Sequence, residues 1–309
     1  MRRIDCRAAE EGLNVELNHV YALIAMNGLE SSRNSLARQA VDRALAAAEI
    51  LSPALDLALE SPEKFAAKVR EAGQAARKLR GRAARTLEKE NFSALKAMGV
   101  MEEAPALMGS DMLYATSGVE LLMWRGEEDA WRKAVEEFRA ELLEPGEPTV
   151  DCGALFWLLR ESCVLNELFS TREQDEVRSR VTALAAENPV WRCLVEEEFH
   201  DALIALGLKA MRAKRSMFRN PYLEGVALFF PFLERRASIF IDQVVLGTTV
   251  KERRTAVVEY LKVRGHRVRE VPSGSETLLE IDGSFYRAWP TTRTVRLPIQ
   301  GMALVPVYL

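Results

Sequence analysis

Apolar residues recur at the spacing of an α-helix through most of the first 220 positions. The first such stripe consists of Leu13, Leu17, Val20 and Ile24. Asn27-Gly28 after this stripe favours a helix end, and an alanine-rich second stripe starts at Leu36. Continued along the chain, the pattern predicts about eight helices and therefore a multi-helix, bundle-like body.

Capping residues indicate where several helices begin. Ser61-Pro62 favours a helix start, because a serine hydroxyl accepts from backbone N–H groups and proline fits the first helical position. The run from Pro62 to about Glu90 contains strong helix formers and predicts one long helix. Ser170 followed by Glu173 predicts a capping box at the start of another.

Four further segments have helical patterns. They are Met112 to Trp124, Glu127 to Leu143, Cys152 to Phe169, and a run that Asn188-Pro189 opens and that reaches about Arg215. Glu120 is the only charged residue in the first of these. A single carboxylate in an apolar helix needs a partner, so Glu120 is a candidate for a functional position.

The pattern changes after Asn220-Pro221. Thr249 and Glu252 predict a capping box for a helix, and short β-type runs follow it. Asp282-Gly283 between two of these runs is typical of a two-residue type I′ hairpin. The predicted fold is therefore mainly α: an α-helical domain over residues 1–221, then a small α+β module over 222–309 with one helix and short antiparallel strands.

Composition and charge limit the classes of function that the protein can have. The 309 residues carry a net charge of −3, which argues against a dedicated nucleic-acid coat. The charge is uneven: +3 over residues 1–100, −13 over 101–200 and +7 over 201–309. An acidic middle block of this kind fits either a solvated helix surface or a face that meets a basic partner. Any polyanion site must therefore be local.

Cysteines and apolar runs bear on the compartment. The four cysteines show no CxxC spacing, so they are expected to be reduced thiols in a cytoplasmic protein. The most apolar run, Val226 to Leu233, is too short to span a bilayer. The sequence therefore predicts a cytoplasmic protein with no integral membrane association.

A strongly basic segment is the first functional candidate. Residues 64–85 contain eight basic residues and one acidic residue. If the segment is one helix, its basic positions lie near one face at a spacing that follows a phosphate backbone. The predicted phosphate contacts are Arg70, Arg77, Lys78, Arg82 and Arg85. The alternative is that this basic helix face pairs with the acidic block of residues 101–200.

Further basic residues lie nearer the C-terminus. One group ends the predicted helix before the α+β module and consists of Arg212, Lys214 and Arg215. A second group within the module consists of Arg253, Arg254 and Arg267. A helix followed by a hairpin is the outline of several nucleic-acid-binding modules, so these residues are predicted to add phosphate contacts.

A metal centre is the competing hypothesis. Two of the three histidines end a Glu-x-x-His sequence, Glu16 to His19 and Glu197 to His200. On a helix this spacing places a carboxylate and an imidazole on one face, where both reach one ion. With Glu120 and either Glu161 or Glu167, the set fits a site for one or two iron or manganese ions in a helical bundle.

Three functions therefore remain open. The leading hypothesis is a cytoplasmic interaction protein, a subunit or accessory factor of a nucleic-acid-handling assembly, that needs no cofactor. The second is the helical-bundle metalloenzyme. The third is a structural homo-oligomer, in which the basic helix of one copy meets the acidic block of another. No nucleophile motif or glycine-rich phosphate loop decides whether the protein is an enzyme.

Overall fold

The computed structural model describes residues 16–30, 35–115, 117–199, 205–207, 209, 235–242, 249–273, 276–294 and 298–307. These residues fall into two compact units that alternate along the chain. The first unit draws its described residues from Met1–Asn27, Leu36–Glu102 and Gly126–Arg212. The second draws them from Gly28–Ser35, Glu103–Arg125 and Ala213–Leu309. The predicted division at residue 221 lies outside the described residues and stays a prediction.

Helices dominate the described part of the chain. They are α1 (Leu17–Met26), α2 (Leu36–Leu51), α3 (Leu57–Glu60), α4 (Pro62–Lys78), α5 (Gly81–Ala97), α6 (Met112–Ala115), α7 (Glu128–Leu143), α8 (Val150–Glu161), α9 (Leu165–Leu168), α10 (Thr171–Glu187), α11 (Pro189–Glu196) and α12 (Val250–Val263). Short 3₁₀ turns are formed by Ser52–Ala54 and Leu107–Ser110. None of these helices combines the length and the apolar character that a membrane crossing requires.

The strands belong to two sheets. They are β1 (Leu29–Glu30), β2 (Met101–Pro105), β3 (Leu122–Gly126), β4 (Ile239–Ile241), β5 (Val268–Ser273), β6 (Glu276–Ile281), β7 (Ser284–Thr294) and β8 (Pro298–Val307). A three-stranded sheet has the order β1-β3-β2, and a five-stranded antiparallel sheet has the order β4-β8-β7-β6-β5. The predicted fold class is confirmed: the protein is mainly α, with an α+β module at its C-terminal end.

The first unit is built around α2. This helix packs against α1, α4, α5 and α8, and its alanines allow close approach on several sides. The largest fully buried side chains around it include Tyr21, Phe65 and Trp157. Helices α1 and α8 are buried on nearly every side, which explains why apolar residues cover them all round.

The predicted helix caps are confirmed. The Ser61 hydroxyl accepts from the backbone N–H of Lys64 at the start of α4. Both capping boxes form, at Ser170 before α10 and at Thr249 before α12. Asn188 likewise caps α11 through its side chain. These contacts are local in sequence, so local sequence specifies them.

The single long helix predicted from Pro62 to about Glu90 is wrong. Helix α4 ends at Lys78, Leu79 and Arg80 are extended, and α5 begins at Gly81. Gly81 has a φ of +53°, a left-handed conformation that glycine adopts without the strain of a Cβ. The two helices instead pack separately against α2.

Two other predicted helices begin where the sequence predicts but do not continue through the predicted span. In the segment 112–124, α6 ends at Ala115 and Gly118 follows with a φ of +68°. The last three residues of the segment belong to β3, in which Trp124 pairs with Leu29. The helix opened by Asn188 ends at Glu196, because residues 197–199 are not helical, although residues 205–207 and 209 of the predicted span are helical. Strand pairing takes the place of helix at β3, and after α11 the carbonyl oxygen of Glu197 accepts from Trp157 and Arg160 of α8 instead of continuing the helix.

The second unit contains the α+β module. Helix α12 packs against one face of the five-stranded sheet, and its Val257 and Leu261 are fully buried there. The predicted hairpin is confirmed: Asp282 and Gly283 both have positive φ, as a type I′ turn requires, and Ile281 pairs with Ser284. The described residues of two segments that the pattern did not connect to the module, Gly28–Ser35 and Glu103–Arg125, belong to this unit.

A buried charge cluster holds the hairpin turn. Asp282 Oδ2 lies 2.7 Å from His266 Nδ1, and Asp282 Oδ1 accepts from the backbone N–H of Arg267 at 3.0 Å. Arg125 lies 3.3 Å from the same carboxylate and also donates to the carbonyl oxygen of Gly265. We call Asp282, His266 and Arg125 the hairpin charge cluster.

Candidate functional site

The break between α4 and α5 gathers basic side chains at one place. Residues 72–87 contain five basic residues and no acidic residue. We call these five the basic junction: Arg77, Lys78, Arg80, Arg82 and Arg85. All five are exposed. The end of one helix and the start of the next therefore present a concentrated positive surface.

Two members of the junction also have structural contacts. Arg77 Nη2 lies 3.0 Å from Glu197 Oε1 and bonds to the carbonyl oxygen of Glu198. Arg80 Nη1 donates to the carbonyl oxygens of Arg77 and Leu79, each at 2.7 Å, at the C-terminal end of α4. The Arg80 contacts hold the turn between α4 and α5, and the Arg77 contacts join the end of α4 to the chain after α11.

The other three members are available to a ligand. Lys78, Arg82 and Arg85 form no ion pair within the described part of the chain. Arg80, the N-cap residue of α5, supplies no side-chain cap to the first turn of that helix. Uncapped N–H groups and the positive end of a helix dipole favour anions. The junction is therefore suited to phosphate groups.

The predicted straight basic face is corrected by the break. Arg70 and Arg77 are two turns apart on α4, but Arg85 belongs to a different helix. The helical spacing that was expected to align all three along one axis does not continue past Lys78. Arg70 is exposed on α4, seven residues before the junction.

Of the six predicted C-terminal phosphate contacts, the three that the structure describes lie among neighbours within the fold. Arg254 lies 3.3 Å from Glu270, and Arg253 bonds to the Gln300 amide oxygen at 3.4 Å. Arg267 is half-buried and follows His266 in the hairpin charge cluster. Arg212, Lys214 and Arg215 lie outside the described residues.

The helical setting expected for the metal site is not found at Glu197. This residue follows the end of α11, and its carbonyl oxygen accepts from Trp157 Nε1 and Arg160 Nη2, each at 2.8 Å. A methyl group at Gly73 would come within 2.7 Å of Glu197 Oε1, so that glycine admits the glutamate against α4. Glu197 therefore anchors the chain against α4 and α8, and His200 lies outside the described residues.

Glu120 and Glu161, which were proposed as further metal ligands, lie in different surroundings. Glu120 is exposed and lies outside any helix, so the argument from a single carboxylate in an apolar helix does not hold. Glu161 is buried, pairs with Arg160 and accepts from the backbone N–H of Phe199 at 3.0 Å.

Of the remaining metal candidates, Glu16 is exposed at the start of α1, His19 is half-buried on that helix, and Glu167 lies on α9. Across the described residues, which exclude His200, no group of three or more histidine, cysteine, aspartate or glutamate side chains is arranged to hold a metal.

A second charged site, between α2 and α5, was not predicted. Arg38 of α2 binds Glu88 of α5 through two nitrogens, with Nε at 3.1 Å and Nη2 at 2.7 Å from its carboxylate oxygens. Asp42 follows Arg38 by one helical turn, and Arg85 precedes Glu88 by three residues. We call these four residues the α2–α5 charge cluster.

Asp42 is the member of this cluster with the fewest hydrogen-bond partners. Only 6% of it is exposed, and its Oδ1 accepts no hydrogen bond within the described part of the chain. Burial, together with the charge of Glu88, raises the pKa of Asp42 to about 7, although the charges of Arg38 and Arg85 oppose this shift. The carboxyl group is therefore poised to titrate near neutral pH.

The sequence contained a partial signal for this cluster. Arg38 and Asp42 have the i, i+4 spacing of neighbours on one helix face, and Arg85 and Glu88 have the i, i+3 spacing. Nothing in the sequence indicated that the two pairs face each other.

No protein-family model matches this chain, and no curated protein or solved structure matches it significantly.

Proposed function

We propose that the protein is a cytoplasmic interaction protein that binds nucleic-acid phosphates through the basic junction, as a subunit or accessory factor of a nucleic-acid-handling assembly. The observation that carries this proposal is the junction itself. Five exposed basic side chains meet at a helix break without an acidic neighbour in sequence, and three of them form no ion pair within the described residues. Such a surface gains free energy by releasing counterions from a polyanion.

The proposed binding is to the backbone and not to the bases. The nearest aromatic residues on either side of the basic junction in the sequence, Phe65 and Phe92, are buried in the helical packing. They cannot stack on bases as the aromatic residues of single-strand-binding proteins do. The protein should therefore bind with little sequence preference and with a strong dependence on salt.

The test is the affinity of the full chain for a fluorescent single-stranded oligonucleotide across a series of salt concentrations. The variant carries Lys78→Gln, Arg82→Gln and Arg85→Gln. Each lost phosphate contact removes about 0.7 from the slope of log Kd against log salt, so the slope should fall by about 2. Kd at low salt should rise by more than about tenfold.

A matched control removes the same charge from another surface of the first unit. It carries Lys133→Gln, Arg172→Gln and Arg178→Gln, three surface residues that pair with neighbours on their own helices. The control should bind like the unmodified protein. Equal losses in the two triple variants would mean that only net charge matters, and the basic junction would then not be the site.

Two further measurements on the same proteins test other partners for the basic junction. Binding to vesicles rich in phosphatidylserine without binding to the oligonucleotide would replace nucleic acid by a membrane surface. The molar mass of the protein in solution tests for a second copy of the chain as the partner. A molar mass that falls at high salt, and that is equally low in the triple variant of the basic junction, would indicate self-association in place of nucleic-acid binding. Either result would overturn the proposal.

A further inference from the structure

A carboxylate of the chain itself lies against one member of the basic junction. Arg77 Nη2 is 3.0 Å from Glu197 Oε1, and the same nitrogen donates to the carbonyl oxygen of Glu198. The arginine side chain is 48% exposed and the glutamate side chain 18% exposed. An internal anion therefore neutralises an arginine at the start of the junction, on a surface that an external ligand can reach.

The surface of α4 has room for this carboxylate. Gly73 precedes Arg77 by four residues, so both lie on one face of the helix. A Cβ at Gly73 would come within 2.7 Å of Glu197 Oε1 and 3.3 Å of its Cγ, so a larger residue would displace the glutamate. The glycine therefore leaves the space in which Glu197 lies along the helix and reaches Arg77 one turn further on.

The main chain around Glu197 is held on α8. The carbonyl oxygen of Glu197 accepts from Trp157 Nε1 and Arg160 Nη2, each at 2.8 Å. Two residues further on, the backbone N–H of Phe199 donates at 3.0 Å to the carboxylate at the end of α8, and the Phe199 ring packs edge-on against Trp157. The carboxylate is therefore presented to Arg77 from a fixed position, so little chain entropy is lost when the ion pair forms.

The contact between Glu197 and Arg77 is of the kind that a phosphate makes. Carboxylates and phosphates both accept from a guanidinium group, so they compete for the same N–H groups. Because Glu197 belongs to the same chain as Arg77, it competes with an external phosphate at a high effective concentration. Within the described part of the chain, Lys78, Arg82 and Arg85 form no ion pair and have no such competitor.

We infer that Glu197 is an internal competitor that occupies Arg77 and weakens nucleic-acid binding at the basic junction. This inference rests on the proposed function and adds the regulation of its site. With Glu197 in place, the cations available to phosphates are Lys78, Arg82 and Arg85, and release of Glu197 adds Arg77 as a fourth. An ion pair as exposed as this one changes an equilibrium constant by up to about fivefold, so the competition adjusts the affinity without abolishing binding.

The test compares the unmodified full chain with Glu197→Gln, using a fluorescent single-stranded oligonucleotide across a series of salt concentrations. Glutamine keeps the size of the side chain and the backbone contacts of residue 197, but it no longer neutralises Arg77. Kd at low salt should fall by about three- to fivefold, and the slope of log Kd against log salt should increase by about 0.7, the value for one added phosphate contact. The thermal unfolding midpoint should change by less than about 4 °C, which shows that the fold is kept.

Two further variants separate the position of this carboxylate from its charge. Glu196→Gln removes the same charge from the preceding residue, which is exposed and forms no ion pair within the described residues, and it should bind like the unmodified protein. Gly73→Ala keeps every charge but fills the space in which Glu197 lies, so it should also lower Kd. Equal gains in Glu196→Gln and Glu197→Gln, or no gain in Gly73→Ala, would overturn the inference.

The gain in affinity must also depend on Arg77. Glu197→Gln combined with Arg77→Gln should bind no more tightly than the unmodified protein, and a gain that survives in this double variant would overturn the inference. If the unmodified protein binds and Glu197→Gln binds no more tightly, the inference is overturned and the proposed function stays intact. No binding at low salt by either the unmodified protein or Glu197→Gln would overturn both.

Discussion

Two aspartates in this protein are buried almost equally and behave in opposite ways. Asp42 in the α2–α5 charge cluster is 6% exposed, and Asp282 in the hairpin charge cluster is 4% exposed. The pKa of Asp42 is raised to about 7. Burial also favours the neutral form of Asp282, but contacts with His266, Arg267 and Arg125 outweigh it and hold its pKa below the ordinary value.

The difference lies in how many partners each carboxylate has. Asp282 accepts from a backbone N–H and contacts an imidazole and a guanidinium group. Because Asp282 is ionised, the proton of its bond to His266 lies on Nδ1. Asp42 has an acceptor oxygen without a donor in the described structure, and the neighbouring guanidinium of Arg38 serves Glu88. The supply of donors, and not burial alone, decides which carboxylate stays charged.

The two sites therefore have different consequences. Asp282 keeps its charge at neutral pH and holds a turn, which is a structural role. Asp42 changes charge near neutral pH, so its contribution to the stability of the first unit depends on pH in that range. Substitutions at Asp282, Asp42 and Arg85 sharpen or break this contrast.

The largest effect is expected from Asp282→Ala. The change leaves the largely buried charge of Arg125 without its carboxylate and removes the acceptor for His266 and Arg267, which typically costs about 3–5 kcal/mol. The methyl side chain must also adopt the positive φ of the turn. Hydrogen exchange of the β6 and β7 amides measures the loss in the second unit by itself.

Asp282→Asn separates the charge from the turn conformation, because asparagine tolerates positive φ. Asp175→Ala on the exposed surface of α10 is the control and should change stability by less than about 0.5 kcal/mol. The folded pKa of Asp282 is lowered, so its contribution exists above the unfolded pKa and disappears as the pH falls through the folded pKa. A hairpin as stable in Asp282→Ala as in the control would contradict the structural role.

Asp42→Asn should produce the next largest effect, with the opposite pH dependence. The folded pKa of Asp42 is raised, so its contribution is complete below the unfolded pKa and is lost as the pH rises to about 7. Between pH 5 and pH 8 the variant should gain about 2–3 kcal/mol relative to the unmodified protein. Urea unfolding followed by far-UV circular dichroism measures this difference, since the first unit dominates the helical signal.

A constant difference across this pH range would mean that Asp42 does not titrate there. Asp56→Asn serves as the control, since that carboxylate is exposed and should give a curve parallel to that of the unmodified protein.

The smallest effect is expected from Arg85→Gln. The side chain is exposed, so its loss should change stability at pH 5 by less than about 0.5 kcal/mol. Removing its charge raises the pKa of Asp42 further, so the loss of stability should extend to higher pH. The midpoint of the pH dependence, measured by urea unfolding, should therefore move upward. Lys78→Gln leaves the charges of the α2–α5 cluster in place, and an equal movement there would contradict the specific role of Arg85.

Features that depend only on residues close together in the sequence were predicted correctly. The capping boxes at Ser170 and Thr249 and the turn at Asp282-Gly283 were predicted correctly, because each depends on bonds between residues a few positions apart. The basic residues of the junction were named for the same reason: charge density is read directly from the sequence. Their arrangement was not, because the helix break at Leu79-Arg80 reflects how α4 and α5 each pack against α2.

The sequence by itself determined the fold class, the caps, the hairpin and the basic segment, since propensity, capping and charge act over short distances along the chain. Tertiary structure alone decided that residues 122–126 are a strand, that Glu197 lies beyond the end of α11 against α4, and that Arg38 of α2 binds Glu88 of α5. Each of these depends on which distant segment supplies a partner. Pairing of strands, packing of helices and the supply of hydrogen-bond donors to a buried carboxylate are contacts between residues far apart in sequence, and residue spacing carries no record of them.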